Sequence, residues 1–178
     1  MHTVIVYESM YGNTRQVAQA IAEGVREAAP DAQVDCLTVS EATADATRSA
    51  DLLVVGGPTH MHGMSSGLSR RLAHGTQAQK SARESGALAA TAEPDESPGL
   101  RAWFHGLPDT ESGTHAAAFD TRADFRLSGG AAEGIARRLS HHHYDVLAEP
   151  EGFIVEDTEG PLRAGELDRA RTWGAGLL

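Results

Sequence analysis

The chain has 178 residues, of which 40% are hydrophobic and 22% are charged, and its formal net charge is −10. These values are typical of one globular domain that is long enough to bury a core, and they disfavour nucleic acid or an anionic membrane as a partner. No apolar stretch approaches the roughly 20 residues that cross a bilayer, the start does not resemble a signal peptide, and the single cysteine, Cys36, has no partner for an internal disulfide, so we expect a cytoplasmic protein without membrane insertion.

The first predicted elements are a strand, a tight loop and a helix. Residues 4–7 form a short apolar run that is typical of a strand buried on both faces. Apolar residues then recur at helical spacing from Val17 to Ala28, and Pro30 follows the end of that pattern. Further apolar runs predict a second strand at 34–39 and a third at 52–57, the latter ending in two glycines.

The second half of the chain continues the alternation. It predicts a fourth strand at 116–119, a helix from Ala131 to Leu139, one interrupted strand or two short ones at 144–147 and 153–155, and a terminal helix from Leu167 to Leu177. Strands that alternate with helices indicate a parallel sheet with right-handed crossovers. The run at 156–161 is typical of a solvated turn.

Periodicity is lost between residues 64 and about 98. This stretch is rich in serine and glycine and has little regularly spaced apolar content. Loops of this length are usually lids, binding loops or disordered segments. We therefore predict a single domain over residues 1–178 that contains a long flexible insertion at about 64–98.

The loop after the first strand has the residue types of a phosphate site. Two hydroxyls and the backbone N–H groups beside a glycine can converge on one phosphate there, at the positive end of the helix dipole. The loop has neither the Walker pattern nor G-x-G-x-x-G. A simple helix N-cap at Asn13 or Thr14 explains the same residues, and the loop alone does not decide between the two interpretations.

Three segments together resemble the flavodoxins and the flavodoxin-like quinone reductases. The loop Ser9-Met10-Tyr11-Gly12-Asn13-Thr14 is similar to the FMN phosphate loop, which has the form [TS]-x-x-G-x-T. The segment 56–63 contains a G-x-P-T run and is similar to one flavin-ring loop, and the segment 119–122 stands where the family has the other.

The resemblance implies a fold, a cofactor and a set of binding residues. The implied fold is a flavodoxin-like, doubly wound α/β domain with a five-stranded parallel sheet in the order 2-1-3-4-5 and helices on both faces, which binds FMN at the carboxyl ends of its strands. The implied FMN-binding residues are Ser9, Met10, Tyr11, Gly12, Asn13, Thr14, Pro58, Thr59, His60, Met61, His62, Gly63, Asp120, Thr121 and Arg122. No metal site is predicted, and no catalytic residue is assigned.

Three functions from different classes fit this interpretation. The first is a flavoprotein that carries electrons between redox partner proteins, which the acidic charge favours. The second is an FMN-dependent NAD(P)H:quinone-type oxidoreductase with a small quinone-like acceptor, for which the insertion could cover a pocket or form a homo-oligomer interface. The third is a binding module of the same fold without FMN, which the intact loop at 9–14 disfavours. Fold alone does not choose among them.

Overall fold

The computed structural model describes residues 1–60, 63–64, 99–110, 113–124, 130–157 and 159–178. The strands are β1 (His2–Tyr7), β2 (Gln33–Thr38), β3 (Leu52–His60), β4 (Gly63–Met64), β5 (His115–Ala123), β6 (Asp145–Val146) and β7 (Glu151–Val155). The helices are α1 (Asn13–Ala28), α2 (Ala44–Arg48), α3 (Leu100–Gly106), α4 (Ala131–His141) and α5 (Glu166–Ala175). Apart from Met64, the predicted insertion lies outside the described residues.

The sheet has the predicted order. β2, β1, β3 and β5 lie side by side and run parallel, and both β6 and β7 pair in parallel with β5. β5 is therefore the fourth strand of the predicted order 2-1-3-4-5, and β6 and β7 together take the fifth position, which confirms the predicted fold. The structure adds the five-residue helix α2 and a short antiparallel pairing of β4 with β3.

Alternation along each strand divides the apolar residues between the two faces of the sheet. Val4 and Val6 of β1 belong to one core, which includes residues of α3 and α4. Ile5 and Tyr7 belong to the other core, which includes residues of α1 and α5. Because successive side chains point to opposite faces, a strand covered by helices on both sides is apolar at every position. This double cover explains the continuous apolar run of the first strand.

The described helices give no sign of a membrane-spanning segment. Within the ranges that the structure describes, none of them is both long enough and apolar enough to cross a bilayer.

One buried hydroxyl on β1 has no hydrogen-bond partner among the described residues. Thr3 is fully buried, and its Oγ1 forms no hydrogen bond within the ranges that the structure describes. A buried hydroxyl without a partner costs free energy that an isosteric methyl group does not. We therefore expect Thr3→Val to raise the free energy of unfolding by about 1 kcal/mol. Urea titration of the variant beside the unmodified chain measures the difference, and a loss of stability would show that the hydroxyl has a partner in solution.

Candidate functional site

The loop between β1 and α1 leaves the first backbone N–H groups of a long helix available. Gly12 precedes α1 with φ +86°, in the left-handed region that glycine adopts without strain. The first helical bond runs from the Gln16 N–H to the Gly12 carbonyl, and the Arg15 N–H donates to Ser9 Oγ at 3.3 Å. In the described part of the chain, the N–H groups of Asn13 and Thr14 have no acceptor.

These N–H groups, which have no acceptor among the described residues, can bind an anion. They belong to the first turn of a 16-residue helix, where the dipole favours negative charge. Apart from its two chain neighbours, no heavy atom of the described residues lies within 4 Å of the position that a Cβ on Gly12 would take, so there is open space on this side of Gly12. The hydroxyl proton of Ser9 stays available, because Ser9 accepts the Arg15 bond through its oxygen. The residues present therefore fit a phosphate group.

The loop is anchored at its beginning by a carboxylate that the sequence analysis did not single out. Glu8 is buried, its N–H donates to the Gly56 carbonyl at 3.0 Å, and its Oε2 accepts from the Leu100 N–H at 2.9 Å. Glu8 thereby ties the end of β1 to β3 through its backbone N–H and to the start of α3 through its carboxylate. Its position between a buried strand and a loop is the only sequence signal of that role.

A second anchor comes from the segment between β7 and α5. Asn13 Nδ2 donates to the Glu159 carbonyl at 2.9 Å, and a Cβ on Gly160 would come within 2.5 Å of the same amide nitrogen. Burial raises the pKa of the Tyr11 phenol, and the nearby Glu159 carboxylate raises it further. The run predicted as a solvated turn is thus packed against the loop at 9–14, with both Glu159 and Gly160 partly buried.

The end of β5 meets the same loop through a pair of threonines. Thr14 Oγ1 and Thr121 Oγ1 are 2.8 Å apart in a buried hydrogen bond. Thr14 is 2% exposed and Thr121 is 5% exposed. Two of the three predicted segments are therefore in direct contact, although 107 positions separate these residues along the chain.

The other predicted segment meets β5 through Thr59 and Asp120. In the sheet, Gly57 is the register partner of Asp120, and Pro58 is the partner of Thr121. Thr59 Oγ1 donates to Asp120 Oδ2 at 3.0 Å and accepts from the Ala131 N–H at 2.9 Å. The three segments predicted to bind the cofactor therefore lie together at the carboxyl ends of β1, β3 and β5.

Asp120 is fully buried against the first turn of α4. Its Oδ2 accepts from the Ala132 N–H at 2.9 Å as well as from Thr59, so the two side chains cap a helix whose own N-cap residue, Gly130, has no side chain. In the part of the chain that the structure describes, Asp120 Oδ1 has no hydrogen-bond partner, and Arg122 Nε lies 3.8 Å from it. Burial raises the pKa of the Asp120 carboxyl, although the Ala132 N–H, Arg122 and Thr59 oppose that shift.

Arg122 is held flat against glycine backbone. A Cβ on Gly152 would come within 2.3 Å of the guanidinium, and a Cβ on Gly130 would come within 2.4 Å of it. The Arg122 side chain is 32% exposed, and its guanidinium group lies over Gly152 of β7. Both glycines are needed here because they leave the space that the guanidinium fills.

Some of the remaining predicted residues are described by the structure, and others are not. Met10 and Tyr11 are partly buried within the first loop. His60 ends β3 and pairs in antiparallel fashion with Gly63 of β4. Met61 and His62 lie outside the described residues, so their predicted role in binding stays a prediction.

These features define a doubly wound α/β protein in which the ends of three neighbouring strands and one open helix N-terminus meet. The sequence profile of the flavodoxin family matches residues 5–97. The chain therefore belongs to the flavodoxin family.

Solved structures of flavodoxins have the same fold. Oxidised flavodoxin 1 from Bacillus cereus is 15% identical, with a TM-score of 0.66, and the match covers 99% of this chain and 97% of that one. A flavodoxin from the domain Archaea is 20% identical, with a TM-score of 0.64 and coverage of 99% and 96%. The flavodoxin and WrbA-like protein from Agrobacterium tumefaciens is 21% identical, with a TM-score of 0.55 and coverage of 99% and 94%. No curated protein matches the chain in sequence.

Proposed function

We propose that this chain binds FMN and carries electrons between redox partners. The observation that carries the proposal is the pair of unpaired N–H groups, on Asn13 and Thr14, in the first turn of α1. Flavin binding is the property implied by membership of the flavodoxin family. FMN ends in a phosphate monoester, and a helix N-terminus with two free donors and two nearby hydroxyls suits that group without requiring a lysine or arginine.

The protein residues have distinct parts in this proposal. Asn13 and Thr14 donate their backbone N–H groups to the phosphate, and the hydroxyls of Ser9 and Thr14 add two more donors. Glu8 and Glu159 hold the loop from either end and do not contact the phosphate themselves. When bound, FMN supplies reversible transfer of one or two electrons.

The hydrogen bond between Thr59 and Asp120 supports the proposed placement of the flavin ring. It fixes the end of β3 against β5 and α4, so the segment that begins at Pro58 leaves the sheet from a defined position. We propose that residues 58–63 lie on one side of the ring and that 120–122 lie near its other edge. Because Asp120 is fully buried and Thr121 is almost completely buried, Arg122 is the member of the latter segment that lies nearer the surface.

The charge of the chain favours electron transfer to other proteins. With a net charge of −10, the chain attracts basic partner surfaces and is repelled by nucleic acid. The second candidate is an NAD(P)H:quinone-type oxidoreductase, which the long stretch at 64–98 favours, because loops of this length often cover a small acceptor.

Thr14→Ala tests the phosphate site. The variant lacks a hydroxyl donor to a charged group, so we expect FMN binding to weaken by about 1 to 3 kcal/mol. Thr14→Ser keeps the hydroxyl and is expected to stay within about 0.5 kcal/mol of the unmodified chain. Titration of apoprotein with FMN, followed by quenching of flavin fluorescence, gives the affinities. Unchanged FMN affinity in Thr14→Ala, or riboflavin binding as tight as FMN binding, would contradict the proposal.

Anaerobic reduction separates the two candidate activities. The FMN-loaded protein is mixed with NADH or NADPH while the flavin absorbance is followed, and dithionite serves as the positive control. An electron carrier is expected to keep its oxidised spectrum with either nucleotide and to bleach with dithionite. Rapid bleaching by a nicotinamide nucleotide would instead assign the oxidoreductase function.

A further inference from the structure

Thr121 lies behind the proposed phosphate ligand Thr14. Phe119 of β5 belongs to the apolar core that α1 covers, together with Val17 and Ile21 of that helix. Thr121 is two positions further along the same strand, so its side chain points to the same face and reaches the first turn of α1. The two hydroxyl oxygens are 2.8 Å apart, and both residues are almost completely buried.

The number of protons in this pair limits what the two hydroxyls can do. Each threonine has one hydroxyl proton, and only one of the two protons can lie in the bond between the oxygens. Within the part of the chain that the structure describes, the other proton has no acceptor. A buried donor without an acceptor is costly, and an anion in front of the Asn13 and Thr14 N–H groups would provide one.

We propose that Thr121 is a positioning residue for FMN binding, which donates its proton to Thr14 Oγ1 so that the Thr14 proton points at the phosphate. This inference rests on the proposed FMN phosphate site. If Thr14 were the donor within the pair, its hydroxyl would present only lone pairs to the anion. When Thr121 is the donor, the Thr14 proton is directed at the phosphate instead. The hydrogen bond from Thr121 to Thr14 also polarises the Thr14 hydroxyl and so strengthens its bond to the charged phosphate oxygen.

Thr121→Val tests the role because it removes the hydroxyl while keeping the branched shape of the side chain. The quantity to measure is the ratio of the riboflavin dissociation constant to the FMN dissociation constant. Because the two ligands differ only in the phosphate, this ratio isolates the contribution of the phosphate to binding. We expect this ratio to fall about 3- to 10-fold in Thr121→Val. We expect it to stay within about two-fold of the unmodified chain in Thr121→Ser, which keeps the donor.

The control is Thr3→Val, the same substitution at a buried position at the end of β1 far from the phosphate loop, where the hydroxyl has no hydrogen-bond partner among the described residues. It is expected to leave the ratio unchanged. The double variant Thr14→Ala/Thr121→Val tests whether Thr121 acts through Thr14: once Thr14 has lost its hydroxyl, Thr121→Val should change the ratio less than about two-fold. If Thr121→Val does not fold, Thr121→Ala replaces it with the same expectation.

The outcomes separate this inference from the proposed function. If the unmodified chain binds riboflavin as tightly as FMN, the phosphate site itself fails, and the positioning role fails with it. If the unmodified chain prefers FMN and Thr121→Val keeps the full preference, only the role of Thr121 is wrong. Full additivity of the two substitutions in the double variant would also overturn it, because Thr121 would then act without Thr14.

Discussion

Gly24→Ala is expected to lower the free energy of unfolding by about 3 kcal/mol, although alanine is ordinarily the better helix former by about 1 kcal/mol. The reason is the close approach of α1 to α5. A Cβ on Gly24 would lie 1.9 Å from the carbonyl oxygen of Arg171, and one on Gly174 would lie 2.4 Å from the carbonyl oxygen of Ile21. Because both obstructing atoms are backbone, the added methyl group has to push the two helices apart.

Chemical denaturation monitored by circular dichroism measures this loss of stability. Gly106→Ala is the matched control, because Gly106 ends α3 and, outside its own helix, no heavy atom of the described residues lies within 4 Å of its Cβ position. The control variant is expected to be as stable as the unmodified chain or slightly more stable. Equal stability of Gly24→Ala and Gly106→Ala would mean that the two helices are further apart than described.

Asp120→Ala is expected to be comparably destabilising, by about 3 kcal/mol. The substitution takes away the acceptor for the Ala132 N–H and for the Thr59 hydroxyl in a fully buried position. It also loosens the end of β3, so FMN binding should weaken in the same variant. Asp120→Asn keeps an oxygen acceptor for these donors and is expected to lose much less stability.

The same carboxylate gives a pH dependence with a definite sign. Burial raises the folded-state pKa of Asp120 above its ordinary value of 3.8, so the folded chain holds this proton more tightly than the unfolded chain does. The stability that comes from this tighter proton binding by Asp120 is therefore fully present below the ordinary pKa. It is lost as the pH rises through the folded-state pKa. Relative to Asp120→Asn, the unmodified chain should lose stability as the pH rises above 3.8 and through the raised folded-state pKa of Asp120. A relative gain over that range would contradict the raised pKa.

Local sequence pattern was sufficient to predict the strands and the first loop, and the family resemblance implied the strand order. The apolar runs at 4–7 and 52–57 have the length and continuity of doubly covered strands, and the glycine at position 12 marks the turn into α1. The fifth position of the sheet is split because Pro150 stands just before Glu151, and proline cannot donate to a strand ladder. That break explains why β6 and β7 both pair with β5 as separate short strands.

The sequence pattern did not predict the contacts between segments that are distant along the chain. The contact between Asn13 and Glu159 joins residues that are far apart in the sequence, as does the contact between Thr14 and Thr121. Both contacts depend on tertiary packing, which residue spacing does not encode. The inward direction of Asp120 follows from strand alternation, but only once Phe119 has been assigned to the face that α1 covers. Side-chain direction in a strand therefore depends on register, which three-dimensional packing sets.

The central claim is that the Asn13 and Thr14 N–H groups bind the phosphate of FMN. Correlation spectra of ¹⁵N-labelled apoprotein, recorded during titration with FMN and separately with riboflavin, report on each backbone amide. The claim predicts that the amide protons of Asn13 and Thr14 move strongly downfield with FMN and much less with riboflavin. Equal responses to the two ligands at these amides, or phosphate-dependent changes confined to other parts of the chain, would contradict it.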